Sequence, residues 1–310
     1  MMPPFPFRLI HSARVLLLVI LGVTALAAAD RKVLLVAGPP SHPPGMHEHN
    51  AGVILLQKCL AGVPGLKTDI VLGGWPADPA KLEGLDAVIF YCDGQQKHVA
   101  LQDDRKAVLG RVLAKGAGLG LLHYAVEPTL ENGHQEFLGW VGGAFEIHWS
   151  VNPHWDAEFK SLPVHPITRG VKPFTIRDEW YFNMRFVPDN KGVTPILVAV
   201  PDASTTSRPD GHHSGNSHVR AAVARGDPQT VAWAYERPDG GRGFGFTGAH
   251  YHQNWGHEYF RRLVLNAVLW LAKVEVPADG VQSTITAADL LVNLDPKPVK
   301  KATSKTDAKK

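Results

Sequence analysis

Four short apolar runs punctuate the first 125 residues: "KVLLVAG" (Lys32–Gly38), "TDIVLG" (Thr68–Gly73), "DAVIFYCDG" (Asp86–Gly94) and "GLGLLHYA" (Gly118–Ala125). A strand with one wet face alternates polar and apolar residues, whereas a run with no polar face must be covered on both sides. Between the runs lie two helical patterns. "AGVILLQKCLAG" (Ala51–Gly62) has Asn50 as its expected N-cap and Gly62 past its end, and "DDRKAVLGRVLAKG" (Asp103–Gly116) is amphipathic and closed by Gly116. Strands alternating with helices give an α/β fold, a parallel sheet flanked by helices.

From about Phe145 the texture changes. Short β-like pieces follow one another, "FEIHWSV", "KPFTIRDEWYF", "TPILVAV", "TVAWAYE" and "RGFGFTG", before a last long helix, "HEYFRRLVLNAVLWLAK". The second half therefore reads as a β-rich elaboration of the same sheet. Pro201–Arg220, rich in Gly, Ser, Asp and His, reads as a mobile surface loop whose histidines are solvated.

The two ends read differently. Arg8 and Arg14 precede an apolar run ending in small residues near Ala27 and Ala29, the pattern of a secretory signal peptide over residues 1–29. The run falls short of the ~20 residues a membrane span needs. The expected protein is exported, periplasmic or extracellular, with no membrane attachment after cleavage. Residues 30–277 form the expected domain, and 278–310 a C-terminal extension with a disordered, Lys-rich tail. That tail holds six of the lysines. The basic balance is thus an end effect, the body is net acidic, and no nucleic-acid partner is expected. Cys59 and Cys92, the only cysteines, read as small buried hydrophobes rather than a bridge.

In an open parallel sheet, ligands bind beyond the carboxyl ends of the strands. His42, His47 and His49 follow the first strand in "SHPPGMHEHNAG", His123 ends "GLGLLH", and His250 and His252 end "FGFTGAHYH". Histidines distant in sequence should converge on one edge. Glu127, the "DEWY" run (Asp178–Tyr181) and Trp255 fall in comparable places. No H-E-x-x-H pair is present, so any metal must be held by long-range convergence. Three imidazoles leave a position open for water or substrate, as a catalytic zinc requires. The expected ligands are His47, His123 and His250, with Glu127 or Glu179 completing the shell or acting as base. His49 is expected beside them rather than on the metal. The alternative is a metal-free crevice in which these groups hydrogen-bond to one another.

Other chemistries lose on pattern. There is no G-x-S-x-G elbow and no P-loop, and "GRGFGFTG" reads as a strand rather than a dinucleotide turn, so no nucleotide cofactor is expected. A cysteine amidotransferase would need a thiol where "GLGLLH" offers His123.

The segments "AGPPSHPPGMHEHNAG", "GLGLLHYAVE", "HPITRGVKPFTIRDEWYFNMRF" and "GRGFGFTGAHYHQNWGHEYFRRLVLNAVLWLA" resemble the ThuA-like (trehalose utilisation) family across nearly all of Arg31–Pro277. The resemblance implies a flavodoxin-like, class I glutamine amidotransferase-like fold without the amidotransferase cysteine. It implies a role in using trehalose or related disaccharides, through 3-keto derivatives made by a partner sugar dehydrogenase, and a divalent metal such as zinc. Carried over residue by residue, it points to His47, His123, Glu179 and His250. "GAHYH" departs from a simple Gly-His pair, so His252 competes with His250. The expected mechanism is metal-assisted acid/base processing of a glycoside. Glu179, Glu127 or His252 moves protons, and Tyr124, Trp180, Trp255 and His49 bind the sugar. The competing expectation is a sugar-binding or accessory protein with this fold and no chemistry.

Overall fold

The computed structural model describes Met1 and residues 30–297, so the expected signal segment and nearly all of the Lys-rich tail lie outside the described residues. The first half contains β1 (Arg31–Ala37), α1 (His49–Leu60), β2 (Leu66–Val71), β3 (Ala87–Tyr91), α2 (Arg105–Leu113), β4 (Gly118–Leu122) and α3 (His134–Val141). The second half contains β5 (Gly143–Ala144), β6 (His154–Phe159), β7 (Phe174–Glu179), β8 (Arg185–Phe186), β9 (Val193–Ala199), α4 (Ser217–Ala224), β10 (Gln229–Glu236), β11 (Arg242–Phe246) and α5 (Glu258–Leu271).

Seven strands form one sheet in the order β2-β1-β3-β4-β11-β10-β9. The strands from β2 to β11 run parallel, and β10 lies antiparallel between β11 and β9. This is the expected α/β architecture, a mostly parallel sheet with helices on both faces. Because the chain leaves β1 for β2 and returns past it to β3, the order reverses beside β1, and a crevice opens there at the carboxyl edge.

The apolar runs explain the layers. Val33, Leu35 and Ala37 pack with α1 and α5 on one face, while Leu34 and Val36 pack with α2 and α3 on the other. Each of these valines and leucines, fully buried, contributes about 1.5–3 kcal/mol relative to exposure. Glycines at the centre allow close layers. A Cβ at Gly118 would lie 2.5 Å from the Leu271 carbonyl oxygen, and one at Gly245 would lie 2.1 Å from the Trp233 ring.

Three local readings are corrected. "FEIHWSV" is mostly turn, and the strand comes later at β6, paired antiparallel with β7. β6 buries Trp155, Ala157 and Phe159 and exposes the residues between them, so its polar half hides it in the sequence. Residues 201–220 are ordered, with α4 beginning at Ser217 and Asn216 accepting a hydrogen bond from the Val219 amide. Asn50 does not cap α1. The helix starts at His49, two residues before an Asn50 cap would start it, and the His49 amide donates to Asp295, distant in the chain, at 3.0 Å. Both cysteines are free. Among the described residues no helix is long and apolar enough to cross a membrane.

Replacing Gly245 with Ala should destabilise the fold by about 1–3 kcal/mol, the usual cost of overpacking. The midpoint of a urea titration reads it directly.

Candidate metal centre

Four loops at the carboxyl edge build the site. His47 lies in the loop after β1, Asp93 follows β3, His123 follows β4 directly, and His250 follows β11. Glu179 is the last residue of β7. Backbone hydrogen bonds join the first and last of these loops: the His47 amide donates to the His250 carbonyl at 3.0 Å, and the His252 amide to the Gly45 carbonyl at 2.9 Å. Asp178 fixes the last loop by accepting from the amides of Ala249 and His250 at 2.8 and 3.0 Å. His47, His123 and Ala249 all have φ above zero, at 47°, 56° and 84°. Non-glycine residues hold that shape only where their surroundings over-determine it, as functional sites do.

The side chains meet in a small cluster. His47 Nε2 lies 3.0 Å from both His250 Nδ1 and His123 Nε2, and His123 Nε2 lies 3.3 Å from His250 Nδ1. Glu179 Oε2 is 3.1 Å from His250 Nδ1 and 3.4 Å from His123 Nε2. All four residues are buried, and their ligand atoms lie within 4.8 Å of one another. A tetrahedral zinc with bonds of ~2.0–2.1 Å has ligand-to-ligand edges of roughly 3.3–3.4 Å, so the cluster needs little rearrangement to hold one.

The hydrogen bonds behind the rings favour the same reading. His123 Nδ1 faces the Thr247 carbonyl at 2.8 Å, and His47 Nδ1 faces Asp93 Oδ1 at 3.0 Å. Each outer partner accepts, so each Nδ1 carries the hydrogen, and in the neutral rings both Nε2 lone pairs point into the cluster. Two lone pairs 3.0 Å apart repel unless a cation lies between them. The donor set therefore fits a divalent metal.

Without one, a proton takes that role. Burial lowers the His123 pKa, but the adjoining Glu179 outweighs it and the net shift is upward. Burial pushes Glu179 up, but its hydrogen bonds to His123 and His250 bring it well below the usual carboxylate range. Burial and the neighbouring imidazoles of His123 and His42 hold His47 well below the ordinary histidine value. His47 is thus favoured in its neutral, ligating form, while the contact with Glu179 favours the protonated form of His123.

Not every expected residue joins the cluster. Tyr124 is half-buried at its mouth, with its ring 6.0 Å from that of His47. Trp180 and Trp255 have no exposed surface and pack in the core, each against Phe260. His49 is buried behind His47, with Nδ1 at the Pro39 carbonyl. His252 lies beside Glu48 and Lys297, away from the metal-facing atoms. Glu127 is buried near the mouth and pairs with His213 Nε2 at 2.7 Å. That pair corrects the solvated reading at His213 alone: His213 is half-buried and held by Glu127, whereas His212, packed on His148, and His218, stacked on Trp149, are exposed as expected. Cys92 is buried and its thiol is pushed up to about 12 by burial, so it is not a nucleophile at neutral pH.

Sequence reasoning gave Tyr181 no role of its own beyond its place in the "DEWY" run, and it missed Asp93, His213, His154, whose Nε2 lies 3.7 Å from Glu179 Oε1, and the stacking of His42 on His47. One signal was available. Alternate residues of a strand share a face, so if Glu179 faces the site then Trp180 cannot and Tyr181 must. Tyr181 Oη indeed lies 3.3 Å from His123 Nε2.

A family model described as ThuA, trehalose utilisation, matches residues 44–271. No curated relative matches the sequence. Among solved structures, a putative ThuA-like protein from Bacteroides uniformis is similar, with a TM-score of 0.54 and 17% identity, covering 79% of this chain and 93% of that one. The mmIFT52 N-terminal domain gives a TM-score of 0.47 at 11% identity, over 79% of this chain and 99% of that domain.

Zinc binding should release protons, because Glu179 favours the protonated form of His123 and the metal displaces that proton. Calorimetry in two buffers of different ionisation enthalpy measures it. Affinity should fall as the pH drops and protons compete for the imidazoles.

Proposed function

Because this chain belongs to the ThuA, trehalose-utilisation family, we propose that it is an exported, divalent-metal-dependent enzyme acting on a trehalose-type disaccharide, best as its 3-keto derivative. The observation that carries this reading is the convergence of three imidazole nitrogens, 3.0–3.3 Å apart, with Glu179 against them. His47, His123, His250 and Glu179 would hold the metal, and zinc suits the mixed nitrogen and oxygen donors. Bound there, the metal supplies a Lewis acid for a sugar carbonyl or hydroxyl.

The rest is work for side chains. Asp93 and the Thr247 carbonyl hold two rings in the ligating tautomer. Tyr181, a donor beside both His123 and Glu179, is placed to hydrogen-bond an oxyanion forming at the cluster. Tyr124 offers an aromatic face at the mouth for a sugar ring.

Proton transfer falls to Glu127 and His213. Glu127 is buried, one of its oxygens has no partner, and the other accepts from His213 and Gln95. The hydrogen bond to Glu127 raises the His213 pKa, and the ring is part-exposed. Such a hydrogen-bonded pair, reached through the part-exposed ring, is placed to take a proton and return it. A 3-keto group acidifies the C2–H. The base removes that proton, the electron pair forms the C1–C2 double bond, and the glycosidic C1–O bond breaks with its oxygen protonated by the acid. No oxidant is consumed, consistent with a partner sugar dehydrogenase that supplies the ketone. Direct hydrolysis of an unmodified glycoside instead asks for two carboxylates flanking the bond.

The first test is metal content of untagged protein, residues 30–310, by elemental mass spectrometry. Near-stoichiometric zinc or another divalent ion is expected, absent from His47→Ala and His123→Ala. No metal after incubation with zinc in a folded wild type would refute the proposal. The loaded protein is then given 3-keto disaccharides. Glu127→Gln should keep the metal and lose about 10²–10⁴-fold in kcat, as for a lost general base or acid. Sugar binding without turnover would identify a binding or accessory protein instead.

A further inference from the structure

The segment after α5 leaves the region matched by the family model, which ends at residue 271, and returns across the molecule to the site. The Val281 amide donates to Asn266 of α5 at 2.8 Å, and Asp289 pairs with Lys58 of α1 at 2.5 Å. Asp295 then accepts from the His49 amide and the Asn50 side chain, at 3.0 and 2.6 Å, and donates its own amide to Glu48 at 2.7 Å. Two residues later, Lys297 Nζ lies 2.7, 2.9 and 3.0 Å from the carbonyl oxygens of Ser41, Met46 and His47.

This is an unusual place for a lysine. Its side chain is 3% exposed, all three ammonium donors have partners, and the acids Glu48 and Asp295 stand 3.6 and 3.8 Å away. Three carbonyls turned toward one point repel each other, so the loop from Ser41 to His47 needs a cation at that point. The same loop carries left-handed backbone at His42, Gly45 and His47. Lysines are almost never buried so fully unless their charge is paired.

We propose that Lys297 is a positioning residue for the metal centre: its ammonium gathers the carbonyls of the Ser41–His47 loop and thereby aims His47 at His123 and His250. The C-terminal segment is thus a strap that completes the ligand set, and Glu48 is the anion shared by loop and strap, since it also accepts from the Gly45 amide at 2.7 Å. The inference rests on the metal reading above.

The test uses untagged protein, residues 30–310, stripped with a chelator and titrated with cobalt(II), then with zinc in competition. Lys297→Met keeps the stem and removes the donors. The expected result is a folded protein, by circular dichroism and melting, whose affinity falls roughly 10- to 100-fold, the range for loss of a residue that orients a ligand. Its visible cobalt band should weaken or shift. Ammonium ion should restore the band in part, and tetramethylammonium at equal ionic strength should not, which a general loss of stability would not produce. Wild-type affinity and spectrum in Lys297→Met overturn the strap while leaving the metal centre standing. A wild type that takes up no cobalt overturns the metal reading and the strap with it. Should Lys297→Met unfold, Lys297→Arg retains the charge, but its planar fork does not match three converging carbonyls. Wild-type affinity in that variant also overturns the proposal.

Discussion

Imidazole lone pairs facing one another at 3.0 Å in a buried crevice oppose folding unless something positive joins them, and much of the surrounding structure serves to hold that arrangement. Asp93 and the Thr247 carbonyl fix the tautomers from behind. Asp178 ties down the loop of His250, and the backbone pairing of His47 with His250 locks the first strand's loop to the last. The left-handed backbone at His47, His123 and Ala249 costs of order 1–3 kcal/mol at each residue, and these contacts hold it in place. A protein without use for the cluster would gain stability by relaxing it. Its persistence against several local costs is the physical case for a function at this edge of the sheet.

The site has two sides with different chemistry. On the inner side nitrogen and oxygen donors converge, and the hydrogen bonds behind His47 and His123 set which ring nitrogen faces inward. On the outer side Glu127 and His213 form a pair suited to moving a proton. The two are mechanically linked. Arg208 donates to the Asn152 side-chain oxygen at 2.7 Å, and Asn152 donates to Glu179 at 3.1 Å, so the segment carrying His213 is tied to the carboxylate facing the metal position.

The parts of this structure visible in the sequence are those with short-range signals. Continuous apolar runs gave β1, β3 and β4, the 3.6-residue rhythm gave α1 and α5, and strand-end placement gave His47, His123 and His250. What stayed hidden depends on partners far away in the chain. Nothing near His213 says that it will meet Glu127, and nothing near Asp295 says that it will cap α1. Trp180 shows the opposite difficulty. An aromatic beside a site glutamate suggests a sugar platform, but the strand's alternation turns it into the core. Composition also misled at Lys297, which reads as the first residue of a solvated tail although its ammonium is buried among carbonyls.

These long-range dependences set the order in which the site can form. The residues that could hold a metal come from positions 47, 123, 179 and 250, and the C-terminal segment reaches the first of them from positions 295–297. No fragment that stops at α5 contains all of these contacts. Because a metal's binding energy is available only to a chain that presents the ligands together, a metal here stabilises the complete fold and gives little to a partial one. Metal binding, on the reading proposed above, and completion of the fold would then be a single event, with Lys297 holding one loop in place for both.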